Sequence, residues 1–392
     1  MKKQVYAHLL TWFKTKEYSG SWEMWQSEYA QSPHNPEDIL FDGKKDIAST
    51  SYPLTGVYDS SDPDIIEYQL MLMKLSGIDG VIVDWDGLRL NRYRHDTFMD
   101  ILPFLIKYDM KLIMCYEEWS AYWPVGEFEN RMKEIKQAEK DIEYLYENFA
   151  SLDIYGTING KKPILVFRKI HEKLFNADEW RELKKTIRKY DGITLFNDCY
   201  DETFFDVADG YFFWVGNFDE KTSSNTMEFY EKQYQSFYRQ ATADKSKVLF
   251  GSVMPGFDDT PVWGWGDGAR IAPRYDGDRM EKSWENAIGD DIDCVQIVTW
   301  NDWNEGSQIE PCDNYGYKYI KLNKKYSARF KGAEDGIEDE YLTIPLEIYR
   351  LRKNKRIQNE CKEDLDQIVE LVFKRQFDLV KKKLEEVRRK EG

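Results

Sequence analysis

The sequence runs to 392 residues, enough to bury a large core without disulfides or structural metals and close to the size of one decorated barrel domain. Its 55 basic and 71 acidic side chains leave a formal charge of −16, which argues against nucleic acid or anionic membrane as a partner, because both call for a basic surface. Five widely spaced cysteines without a CxxC, and four histidines without an HExxH or HxH pattern, form neither a disulfide framework nor a zinc site.

The first apolar run, residues 5–10, precedes a long segment, 11–61, rich in Trp, Tyr, Pro and Ser. Loops of that length are functional or disordered, and Trp12, Trp22 and Trp25 point to an ordered, functional one. Asp62-Pro63-Asp64 then supplies a helix cap, a Pro in the first turn and an acidic start, and Gly77 stops that helix. Further runs follow at 80–84 (GVIVD), 111–116 (KLIMCY), 163–168 (PILVFR), 193–197 (ITLFN), 210–214 (GYFFW), 247–253 (KVLFGSV) and 294–300 (CVQIVTW). They are continuous rather than alternating, as in parallel strands buried on both faces.

Helical stripes separate them: Met132, Ile135, Ala138, Ile142 and Leu145; Trp180, Leu183 and Ile187; Tyr230, Tyr234, Phe237 and Tyr238; Met280, Trp284 and Ala287. Eight strands alternating with helices predict an α/β fold, a (β/α)8 TIM barrel over residues 1–345. The nucleotide-binding signatures GxGxxG and GxxxxGK[ST] do not occur. Residues 346–392 read as an appended amphipathic helical tail, with Cys361, Leu365, Ile368 and Val372, then Phe373, Phe377, Val380, Leu384 and Val387, at spacings of three and four. The tail packs on the barrel or offers a face for an oligomer contact. The start Met1-Lys2-Lys3 resembles that of a signal peptide, but the apolar run after it is short and breaks at 11–14. The reading is a cytoplasmic chain without a membrane span, or a periplasmic or secreted one if the natural chain begins earlier.

Barrel enzymes carry their chemistry at the C-terminal ends of the strands. Those ends hold His8 and Trp12; Asp84, Trp85 and Asp86; Tyr116, Glu117 and Glu118; Arg168; Asn197 and Asp198; Trp214; 254–258 (MPGFD); and 299–311 (TWNDWNEGSQIEP). The result is a pocket of carboxylates and indoles. Aromatic residues make up 15% of the chain, and their flat faces with a polar handle suit sugar rings. Glycoside hydrolysis needs one carboxylic acid to protonate the leaving oxygen and one carboxylate to act as, or activate, the nucleophile. Asp302 and Glu305, on one loop between Trp300 and beyond Trp303, are the strongest catalytic pair. Substrate contacts are expected from His8, Trp12, Tyr52, Asp84, Trp85, Asp86, Tyr116, Glu117, Arg168, Trp214, Trp300, Gln308 and Glu310. No metal or other cofactor is expected, although Asp84 and Asp86 could take a hard cation.

Three stretches resemble glycoside hydrolase family 99, the endo-α-mannosidases and endo-α-mannanases: 51–63 (SYPLTGVYDSSDP), 254–259 (MPGFDD) running on to Tyr275, Arg279 and Trp284, and 301–311 (NDWNEGSQIEP). The last is similar to that family's NEWHEGTQIEP. The resemblance spans roughly residues 4–320. It implies retention of configuration through a 1,2-anhydro sugar, with Asp302 deprotonating the sugar's 2-hydroxyl and Glu305 as acid, then base. It also places Glu117 on a substrate-contacting glutamate. Asp302 is one methylene shorter than the family's glutamate, Asn304 replaces a histidine, and Asp86 stands where a second tryptophan is usual. TWNDW at 299–303 and VYAH at 5–8 resemble family 71, the α-1,3-glucanases, and the Trp-Asn-Asp-Trp-x-Glu-Gly pattern also resembles a group of polysaccharide-biosynthesis proteins. The expected partner is an oligosaccharide or polysaccharide cleaved at an α-mannoside or α-glucoside. The alternatives are a glycan-building transferase on the same barrel and a non-catalytic glycan-binding protein.

Overall fold

The structure is a computed structural model that describes residues 3–124, 130–168, 174–197, 201–219, 221–289, 292, 294–334 and 336–391. Seven barrel strands come first: β1 (Gln4–Leu9), β2 (Gly80–Trp85), β3 (Lys111–Glu117), β4 (Lys162–Phe167), β5 (Gly192–Phe196), β6 (Gly210–Phe212) and β7 (Val248–Val253). Two short strands, β8 (Phe257–Asp258) and β9 (Ile271–Ala272), form an antiparallel pair beyond β7. The eighth barrel strand is β10 (Cys294–Ile297), which pairs in parallel with both β7 and β1 and so closes the barrel. The (β/α)8 barrel expected from the apolar runs is therefore the fold.

The helices are α1 (Lys16–Ser19), α2 (Pro63–Leu75), α3 (Arg92–Lys107), α4 (Arg131–Asn148), α5 (Ala177–Lys189), α6 (Met227–Ala241), α7 (Asp278–Ala287), α8 (Lys318–Lys331), α9 (Ile344–Lys353), α10 (Lys355–Phe373) and α11 (Phe377–Glu391). The Asp62 side chain accepts the Asp64 N–H and caps α2, as the Asp-Pro-Asp start predicts. Among the described residues, no helix is long and apolar enough to cross a membrane.

Successive strand side chains point to opposite faces, and that period of two builds both the core and the site. The lumen is filled from below by Tyr6, Ile82, Ile113, Cys115, Leu165, Leu195, Phe212, Phe250 and Cys294. One step further along the same faces come His8, Asp84, Glu117, Ser252 and Gln296, so the inner wall turns polar towards its C-terminal mouth. The opposite faces, such as Val81 and Val83 or Leu112 and Met114, join the larger core under the helices.

The 11–61 segment is held by a buried aromatic cluster rather than by long elements. Trp25 is fully buried, packs on Phe13 (4.4 Å between ring centres), Tyr58 (5.3 Å) and Trp303 (6.3 Å), and donates its indole N–H to the Tyr58 carbonyl at 2.8 Å. The C-terminal stripe faces inward: Cys361, Leu365, Ile368, Val372, Val380, Leu384 and Val387 are buried, with α9 and α10 packed on α2. Arg352 of α9 pairs with Asp64 at 3.3 Å and with Glu67 on α2, and with Asp366 of α10 at 2.7 Å.

Gly80 opens β2 where the chain passes tightly against β3, and an added Cβ would stand 2.4 Å from the Lys111 carbonyl oxygen, a backbone atom that cannot swing away. Gly80→Ala should lower stability by ~1–3 kcal/mol. Gly336→Ala, where the added carbon meets nothing within 4 Å, should not. Urea unfolding of the two variants checks this.

Candidate active site

On the floor of the mouth, Gln296 donates its amide N–H bonds to the Phe213 carbonyl (2.8 Å) and Ser252 Oγ (2.9 Å). Its carbonyl oxygen therefore faces His8 Nε2 at 3.0 Å, and an oxygen that only accepts requires the proton to sit on Nε2. The other ring nitrogen, Nδ1, lies 3.0 and 3.2 Å from the two Asp84 oxygens. The Trp214 ring meets His8 edge-on at 4.8 Å and Phe167 at 5.1 Å. Cys115 brings its sulfur within 4.8 Å of the His8 and Asp84 donors, a mixed N, O, S set of the kind a zinc ion accepts. In the structure these groups satisfy one another.

The loop after β10 carries the carboxylate pair. Asn301 anchors it by bonding both the N–H (2.9 Å) and the carbonyl (3.0 Å) of Leu10. Asp302 is buried, its N–H donates to Thr299 Oγ1 (2.8 Å), and its Oδ1 accepts the Glu305 N–H (3.0 Å). Glu305 is half-buried, and its Oε1 accepts the Trp265 indole N–H at 2.8 Å. Burial, then the Glu305 charge, raises the proton affinity of Asp302 well above the usual carboxylate range, and Asp84 adds to the effect. Burial and the charges of Asp84 and Asp86 raise Glu117 in the same way, against the Trp119 indole N–H that donates to its Oε2 at 3.0 Å. Asp84 thus acts electrostatically on both Asp302 and Glu117. Asp86 bonds Asn91 Nδ2 (2.7 Å) and the Arg94 guanidinium (2.8 Å), which lies 4.4 Å over the Trp12 ring. Burial still lifts Asp86 above the ordinary range.

Several expected contacts are corrected by the pleat. Trp85 and Tyr116 alternate with Asp84 and Glu117 and point outward. Trp85 is buried against Tyr144, His95 and Phe149, and Tyr116 bonds Asp141 Oδ2 at 3.1 Å. Arg168 alternates with Phe167 and serves the wall: it bonds Glu118 (3.1 Å) and the Phe175 carbonyl (3.0 Å) and lies 3.9 Å over Phe204. Trp300 is fully buried in the outer core, and Gln308 is buried under Arg274, which bonds its Oε1 at 3.2 Å. Glu310 is buried behind Trp303, accepting from Tyr58 (2.8 Å) and Gln69 (3.2 Å). Tyr52 lies half-buried where the first and last loops meet, its N–H donated to Asp313 at 2.9 Å. Asp198 lies outside the described residues.

The structure adds Arg94, Gln296, Ser252 and Trp265. The two polar residues were visible as inward-facing breaks in otherwise apolar runs. Arg94 and Trp265 come from a helix and a loop, with no spacing signal pointing to them.

Two carboxylates at the open end of a (β/α)8 barrel, one raised in proton affinity by the other, are the equipment of a glycoside hydrolase. The chain matches the model of glycosyl hydrolase family 99 over residues 1–328 and belongs to that family. It is 24% identical over 341 residues to a glycoprotein endo-alpha-1,2-mannosidase-like protein of Danio rerio, covering 79% of this chain and 71% of that one. It is 23% identical over 368 residues to the glycoprotein endo-alpha-1,2-mannosidase of Rattus norvegicus, covering 83% and 74%. The solved GH99 endo-alpha-mannosidase from Bacteroides thetaiotaomicron shares the fold with a TM-score of 0.62 and 21% identity, over 84% of this chain and 98% of that one.

Burial pushes the Glu310 carboxyl up to about 8. The folded chain then holds this proton more tightly than the unfolded chain does. The stability it brings is complete below the ordinary glutamate range and is lost as the pH rises through 8. The thermal midpoint should therefore fall between pH 5 and 9 (roughly, from the ordinary and shifted values), and Glu310→Gln, which stays neutral, should flatten that fall. A pH series of thermal melts reads the difference.

Proposed function

We propose that this enzyme hydrolyses an α-mannosidic bond within a glycan chain, with Glu305 as proton donor and Asp302 as the base. The observation that carries the reading is the pairing of the two carboxylates on one loop, one buried and raised in proton affinity, the other open to the mouth. The printed activities of the relatives, endo-alpha-1,2-mannosidase and endo-alpha-mannosidase, support the α-mannoside and the internal cut.

Glu305 has the exposure a donor to a leaving oxygen needs. Asp302 falls on the base of the resembling family pattern, and in its ionised form it takes its proton from the sugar's 2-hydroxyl or from water. The first route retains configuration through a 1,2-anhydro sugar, and the second inverts it.

Glu305→Gln keeps the shape and removes the proton, and turnover of an α-mannan oligosaccharide should fall roughly 10²–10⁴-fold. An aryl α-mannoside with a good leaving group needs less protonation and should restore much of the loss. Asp302→Asn should not be restored that way. Equal rescue of both variants would remove the assignment of roles.

A further inference from the structure

Beyond β7, three consecutive residues lie in the left-handed backbone region: Trp263 (φ 45), Gly264 (φ 56) and Trp265 (φ 57). Glycine takes that region freely, whereas a tryptophan stays there only when its surroundings force it. Here the force is visible. The Gly264 N–H donates to the Asp259 carbonyl at 3.0 Å and the Gly268 N–H to the Trp263 carbonyl at 3.2 Å. The buried Asp259 carboxylate draws in the far side of the loop, accepting the Arg270 N–H at 2.6 Å and its Nε at 2.7 Å.

The turn delivers one polar contact to the mouth, the Trp265 indole N–H on Glu305 Oε1 at 2.8 Å. A second fastening lies beside it. The Asp258 N–H donates to the Glu305 carbonyl at 2.7 Å, and Gly306 sits so close that a Cβ would stand 2.9 Å from the Asp258 carbonyl oxygen. The loop after β7 therefore grips Glu305 by backbone and by side chain. Among the described residues, the charged groups beside that grip include Asp302, on whose carboxyl the Glu305 charge acts; Asp258, whose carboxylate is turned to Thr260; and Arg274, which bonds the Gly306 and Gln308 carbonyls.

We infer that Trp265 is a positioning residue for Glu305: its indole N–H aims the carboxylate and holds its ionised form, so the proton is released more readily than beside Asp302 alone. This rests on the reading of Glu305 as proton donor. A bond from an N–H to a carboxylate is worth more than a neutral one and favours the charged form.

The test is a carbon-13 titration of the protein labelled at the glutamate carboxyl carbon, with the Glu305 signal identified as the one missing in Glu305→Gln. Trp265→Phe keeps a ring and loses the N–H, and the Glu305 midpoint should rise by about one pH unit. The alkaline limb of kcat/KM on an aryl α-mannoside should move up with it, since the acid stays protonated to higher pH. Trp263→Phe disturbs the same turn and should leave the midpoint in place. Trp265→His retains a ring N–H and should hold the midpoint nearer the wild-type value. An unchanged midpoint in folded Trp265→Phe, or equal midpoints in the Phe and His variants, would overturn the inference. Full turnover by Glu305→Gln would instead remove the proton-donor reading and leave the titration result standing.

Discussion

Like charges at the C-terminal end of the barrel set the terms for the rest of the mouth. Asp84 acts on Asp86, Glu117 and Asp302, and Glu305 acts on Asp302, and a carboxylate taken out of water without a partner takes up a proton instead of staying ionised. Each is answered by a different donor: Asp84 by His8, Asp86 by Arg94 and Asn91, Glu117 by the Trp119 indole, Asp302 by the Glu305 amide, and Glu305 by the Trp265 indole. The answers are unequal, and the inequality is useful. Where a full cation supplies the donor, as at Asp86, it offsets much of the cost of burial. Where only a neutral N–H does, as at Glu117 and Asp302, proton affinity rises well above the ordinary range. A base with high proton affinity beside a more exposed acid follows from where the cations are placed.

The indoles have more than one task. Trp25, Trp180, Trp284, Trp300 and Trp303 are buried completely and act as large pegs between barrel, loops and helices. Trp119, Trp180 and Trp265 also turn their N–H groups on carboxylates, at Glu117, Glu118 and Glu305. A side chain that fills a wall and donates one hydrogen bond without adding charge suits a site that must keep its carboxylates responsive to one another. The aromatic richness of the chain is thus divided between the core under the helices and the mouth. Trp12 and Trp214 are half-buried beside Arg94 and His8.

The barrel was legible because eight buried parallel strands leave eight apolar runs, and each of these overlaps a barrel strand of the structure to within a residue or so at its start. The carboxylate pair was legible because it sits on one short loop with a family-like pattern. What failed was orientation at strand ends. Position alone drew Trp85 and Tyr116 into the pocket together with Asp84 and Glu117, and Arg168 in place of Phe167, although neighbouring residues on a pleated strand cannot share a face. In the last loop, Trp300, Gln308 and Glu310 flank Asp302 and Glu305 in sequence but fold back into the wall, held by hydrogen bonds from the Ile309 and Glu310 N–H groups to the Trp300 carbonyl. Arg94 and Trp265 were out of reach because their link to the site is tertiary, from α3 and from a left-handed turn.

The central claim is that burial, reinforced by the charges of Glu305 and Asp84, raises the proton affinity of Asp302. A carbon-13 titration of protein labelled at the aspartate carboxyl carbon, with the Asp302 signal assigned from Asp302→Asn, measures that affinity directly. The account predicts a midpoint well above the ordinary aspartate range, falling when Glu305→Gln removes the neighbouring charge. An Asp302 midpoint within the ordinary range, or one indifferent to Glu305→Gln, would contradict it.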